Sequence, residues 1–155
     1  MLNLTKYQEQ YNRLNRWYER FKEINDGKIH DRPSEIYQDD VYAFFMNCHH
    51  LKDWIINDTA AASAAYNVEN YINNNPALSL CADICNSVKH LRLVSNRSGE
   101  RPKFGKKVAK LHIGSGPITI ALKYEIKTDS GAIDAFDLAT KCIKAWDIFI
   151  QSIIE

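Results

Sequence analysis

Between residues 39 and 57 the apolar side chains fall at Val41, Phe44, Phe45, Cys48, Leu51 and Ile55. That i, i+3, i+4, i+7 spacing places them on one face of a helix. A face this wide cannot stay in water, so it commits the chain to a fold in which other helices cover it. Three further segments repeat the period. Leu4, Tyr7, Tyr11, Leu14, Tyr18 and Phe21 mark a helix over about 3–26. Cys81, Ile84, Cys85, Val88 and Leu91 mark another over 76–94. Ala139, Cys142, Ile143, Trp146, Phe149, Ile150 and Ile153 form the stripe of the last one. Gly27 suits the residue after a helix end, and Asn75 can cap a helix that Pro76 begins. Asp134 can cap the last helix, with Asp137 in its first turn. The Ala- and Asn-rich stretch between the second and third stripes holds a short helix around 67–73.

The period changes once. In "ITIALKYEIKT" Ile118, Ile120, Leu122, Tyr124 and Ile126 alternate with small or charged residues, the pattern of a half-buried strand. "KVAKLHI" is its expected partner, joined through "GSGP", and "TDSG" turns the chain into the last helix. The expected fold is mainly α: a four-helix up-and-down bundle with a β-hairpin, about residues 106–128, inserted before the last helix, all in one domain over 1–155.

Composition narrows the function. A net charge of +1 on 155 residues gives no global pull on nucleic acid, so such a role needs a local basic patch, and sequence-specific DNA binding is not expected. No apolar run reaches the roughly 20 residues that cross a bilayer. "MLNLTKYQEQ" lacks the pattern of a secretion signal, so a cytoplasmic protein without membrane contact is expected. Cys48, Cys81, Cys85 and Cys142 all occupy apolar-stripe positions, which predicts reduced, buried thiols. Cys48 is expected to approach the Cys81–Cys85 pair. No CxxC pair and no convergent four-ligand set is legible, so neither metal nor cofactor is expected.

Chemistry-bearing residues gather behind two of the stripes. Asp83, Asn86 and His90 project into one sector of about 60° opposite the third stripe. His50, Asp53 and Asn57 repeat the arrangement behind the second. Lys and Glu, the usual solvated-face residues, are nearly absent from both trios, and Met46 and Trp54 border the second. Such a mixed surface is closer to an interface than to bare exterior. On the first helix Arg13, Arg16 and Arg20 stand at i, i+3, i+7, either as a solvated face or as a stripe that contacts phosphates.

Four long helices with "NSVKH" (Asn86 to His90) on the third resemble the HEPN superfamily, and "CHHLKDWI", "ADICNSVKHL" and "IDAFDLATKCIKAWDIFI" look like an uncharacterised bacterial or phage group of it. The resemblance implies a homodimeric helical bundle. It also implies either an RNA-directed, metal-independent nuclease or a module of a defence or toxin–antitoxin system. The family's active site sets an arginine four to six residues before its histidine, and here those positions hold Asn86, Cys85 and Ile84. The favoured expectation is therefore a non-enzymatic homodimeric binding or regulatory module with RNA or a protein as partner. The alternative is a ribonuclease with His90 as base, Asn86 orienting it or donating to phosphate, and Asp83 holding the imidazole. Cations would then come from Lys89, Arg92 or the "RPKFGKK" loop. Ile148 and Ile154, off the last stripe, and the strand edge supply the expected dimer surface.

Overall fold

The computed structural model describes residues 4–90 and 95–154. Its elements, in chain order, are α1 (Lys6–Asp26), β1 (Lys28–Ile29), α2 (Ser34–Asn57), a 3₁₀ turn (Thr59–Ala61), α3 (Ala62–Ala65) and α4 (Val68–Asn74). Then follow α5 (Pro76–His90), β2 (Lys103–His112), β3 (Thr119–Thr128), β4 (Gly131–Asp134) and α6 (Ala135–Ile154). The fold is mainly helical with one small antiparallel sheet of four strands.

The helix ends obey local chemistry. Gly27 closes α1 at φ 128°, a conformation that favours glycine, and its N–H reaches the Glu23 carbonyl at 2.8 Å. Asn75 accepts from Leu78 N–H at 3.1 Å, and Asp134 accepts from Asp137 N–H at 2.9 Å. Helix α2 starts at Ser34, five residues before the first apolar-periodic position suggests. Tyr37 explains the early start: it is buried, and its hydroxyl accepts from Asp31 and Arg32 N–H and donates to the Asp31 carboxylate.

The sheet is larger than a hairpin. β2 pairs with β3 from Lys103↔Lys127 to His112↔Thr119, with an irregularity between Phe104 and Lys107. The other edge of β3 takes β1 at Ile120 and β4 at Glu125 to Thr128. Neither short strand carries a period-2 signal, because a few residues contain too few alternations to show one. Ile120, Leu122, Tyr124 and Ile126 face inward as expected, whereas Ile118, ahead of the strand, is exposed. Phe104 bridges sheet and bundle by packing against Tyr42 and Phe45.

Helix α2 is the axis of the core: all six residues of its stripe have zero exposure. Phe21, Phe44 and Phe45 form an edge-on cluster where α1 meets it. Helix α1 runs antiparallel to α6, with Tyr11 bonded to Asp147 and Tyr18 to Thr140. The Trp146 indole, 1% exposed, donates to the Cys48 carbonyl at 3.1 Å and ties α6 to α2. All four cysteines are free and buried. Leu4 is exposed, and Leu91 lies outside the described residues. Ile148 and Ile154 point to solvent. No described helix is long and apolar enough to cross a membrane.

Asn75 caps the N-terminus of the helix that carries Cys81 and Asp83. Asn75→Ala should lower unfolding free energy by about 1 kcal/mol with an unchanged denaturant slope, measured by urea titration.

Candidate functional site

The α5 trio does not assemble as its helical projection suggests. Asp83 has zero exposure. Its carboxylate accepts from Arg97 N–H at 2.8 Å, from Ser98 N–H at 2.9 Å and from the Ser98 hydroxyl. The loop after α5 folds back over this sector of the helix, which a projection of one helix cannot anticipate. Asp83 is thus a loop anchor, and no described hydrogen bond joins it to Asn86 or His90. Asn86 is half-buried, and Lys89 and His90 are exposed at the helix end. Arg92 lies outside the described residues.

Beside Asp83 sits a charged cluster that sequence periodicity missed. Glu69 of α4 accepts from Lys52 of α2 at 2.8 Å and pairs with Arg97 at 2.5 Å, while Arg97 also reaches Asn73 at 3.1 Å. Burial works against the Glu69 carboxylate, but the bonds from Arg97 and Lys52 outweigh it and hold its pKa at about 2. His49, 8% exposed, lies under this cluster; burial first, then the charges of Lys52 and Arg97, pull its pKa down to about 4. Every charge here has its partner, so the cluster fastens α4 and the 95–100 loop to α2. An apolar stripe flanked by a histidine and a lysine three residues on gave no signal for a partner as distant as Glu69.

The α2 trio splits. Asp53 and Asn57 line a depression of about 320 Å³ with Trp54 and with Lys6 of α1. The Asn57 amide donates to the Asp53 carbonyl at 2.8 Å, and His50 is exposed outside this depression. Directly beside it lies a second depression of about 290 Å³, lined by Arg13, Arg16, Trp17 and Arg20. Arg13 joins the two, its guanidinium 5.2 Å from the centre of the Trp54 ring. Arg20 lies 4.7 Å above the Trp17 ring. Among the described residues no carboxylate pairs with any of the three arginines. Three unneutralised guanidiniums beside two indoles can take phosphate oxygens and stack against flat rings. The arginine spacing was legible in the sequence. So was Trp17, an aromatic off the first stripe, though no expectation was attached to it.

At the centre of the core Cys48, Cys81 and Cys142 bring their sulfurs within 4.8 Å of one another. The pairing differs from expectation, since Cys48 meets Cys142 of α6 and Cys81, with Cys85 outside the group.

No family model matches this chain, and neither a curated protein nor a solved structure matches it.

Both charged features give a pH signature. His49 binds its proton less tightly folded than unfolded, so stability should fall as pH drops from about 6.5 towards 4, and His49→Gln should flatten that region. Glu69, with its pKa depressed by folding, stabilises fully above its unfolded value and loses that contribution as pH falls through about 2. Glu69→Gln should flatten this lower window and, by removing a negative charge that favours protonated His49, deepen the fall in the upper one, as read by thermal unfolding across pH.

Proposed function

We propose that this chain is a non-enzymatic, homodimeric, HEPN-like binding module whose bundle of four long helices presents single-stranded RNA with the α1/α2 face. The observation that carries the reading is the set Arg13, Arg16 and Arg20 around Trp17, without carboxylate partners among the described residues and continuous through Trp54 with Asp53 and Asn57. Arg13 and Arg20 lie about 10 Å apart along the helix axis, room for successive phosphates of one strand. Single-stranded RNA is favoured over a duplex because its bases are free to stack on indole and guanidinium planes, which supply sequence-tolerant affinity. The Asp53 carboxylate and Asn57 amide beside Trp54 can meet the polar edge of a stacked base. A net charge of +1 leaves affinity to this patch, so it should depend strongly on salt.

Catalysis is not part of the reading. Asp83, the group that would orient an imidazole at His90, is engaged instead by the 97–98 backbone. Ile148 and Ile154, two-thirds exposed on α6, are the proposed dimer contact.

Fluorescence anisotropy with a labelled, mixed-sequence RNA decamer tests this. Arg13→Gln/Arg16→Gln/Arg20→Gln should weaken binding about 100-fold or more, as charge-assisted contacts vanish. The slope of log affinity against log salt should shrink by about 2. Trp54→Leu should cost about tenfold, and the RNA should stay uncut. Unchanged affinity in the triple variant, or no binding by the native chain, contradicts the proposal. A native chain that scatters light as a monomer contradicts the dimer alone.

A further inference from the structure

The three thiols at the junction of α2, α5 and α6 have a chemistry that packing alone does not require. Cys48, Cys81 and Cys142 are at most 1% exposed and come from three different helices. Two of their S–H groups are directed at backbone carbonyls, Cys81 to Phe45 and Cys142 to Ala77, each at 3.4 Å. The third sulfur, on Cys48, lies within 4.8 Å of both of them. A thiolate bond to a soft ion is about 2.3 Å, so three thiolates round one ion sit about 3.4 Å apart where the ion is pyramidal and about 4 Å apart where it is planar. A group already inside 4.8 Å therefore closes on an ion with shifts on the order of 1 Å.

We propose that Cys48, Cys81 and Cys142 form a three-thiolate site for a trivalent thiophile of the arsenic(III) class. Charge selects the ion. Burial opposes each thiolate, and the groups that act on these sulfurs are one another and the Trp146 indole, with no cation among them. Three thiolates with a monovalent ion would leave two negative charges in the core, and a divalent ion would leave one. A trivalent ion leaves none. Zinc in addition calls for a fourth ligand, and no described His, Asp, Glu or further Cys joins the group. Arsenous acid enters neutral and reacts without redox change: As(OH)₃ and three thiols give As(SR)₃ and three waters. Three As–O and three S–H bonds break, while three As–S and three O–H bonds form. Occupancy links three helices at the core centre and so should raise the melting temperature.

The test adds sodium arsenite to the reduced, full-length chain without oxygen and records native mass spectra and thermal unfolding. One arsenic per chain with loss of three hydrogens is expected, with a higher melting temperature. Cys81→Ala and Cys142→Ala should each weaken binding about 100-fold by removing one chelating arm, whereas Cys85→Ala, outside the trio, should bind as the native chain does. Circular dichroism confirms that each variant is folded; if one trio variant is not, the other and the hydrogen count of the native adduct decide. No adduct, loss of only two hydrogens, native-like binding by folded trio variants, or loss of binding in folded Cys85→Ala overturns the proposal. So does tighter binding of zinc(II) or copper(I) in direct competition.

Discussion

The Trp146 indole cannot be buried without an acceptor, and the one it finds is the Cys48 carbonyl in the middle of α2. That bond holds a large ring of α6 against the central helix, and the neighbouring geometry follows from it. Around this contact the core combines large rings, Tyr71 and Phe149 against Trp146, with small side chains. Ala139, Cys142 and Ala145 on α6, with Cys81 and Ala82 on α5, supply them. The cysteines lie together because the junction needs small apolar-like residues from three helices at one height. Tyr71 of α4 closes the same region, its ring tilted against Phe149 and its hydroxyl donating to the Ala145 carbonyl at 2.6 Å.

With its stripe enclosed, α2 has only its two flanks left to meet other groups, and they differ in kind. On one, His49 and Lys52 meet α4 and the 95–100 loop, and the charges neutralise one another through Glu69 and Arg97. Asp83 completes that flank from below by holding the loop backbone. On the other, Trp54, Asp53 and Asn57 meet α1, where the arginines find aromatic faces and the Gln10 amide oxygen but, among the described residues, no carboxylate. Neutralised charge is what a fold needs at a seam between its own parts. Charge left without a counterion beside flat, half-buried rings is what a polyanionic ligand with stacked bases needs from outside.

Much of the architecture was legible because it rests on periodicity and on caps. The α2 and α6 stripes, the Asn75–Pro76 start of α5, Asp134 before α6 and the inward face of β3 each needed only local rules. What local rules could not give were contacts made across the chain. β1 is a strand only because β3 lies beside it. Asp83 looked wet because its helix was projected alone, while the loop that buries it returns 14 residues later. The four-strand sheet and the Lys52–Glu69–Arg97 cluster share that origin. The candidate site lay between these cases: the i, i+3, i+7 arginines were visible, but only the fold placed Trp54 beside Arg13.

The chain's three tryptophans make the central claim directly observable. Trp17 and Trp54 lie on the α1/α2 face, and Trp146 is sealed in the core with its N–H on Cys48. A ¹⁵N–¹H spectrum of the indole groups during titration with a single-stranded RNA should therefore shift the Trp17 and Trp54 signals together and leave Trp146 in place. Binding that moves none of the three, or that moves resonances at Asn86 and His90 while Trp17 and Trp54 stay fixed, would contradict the account.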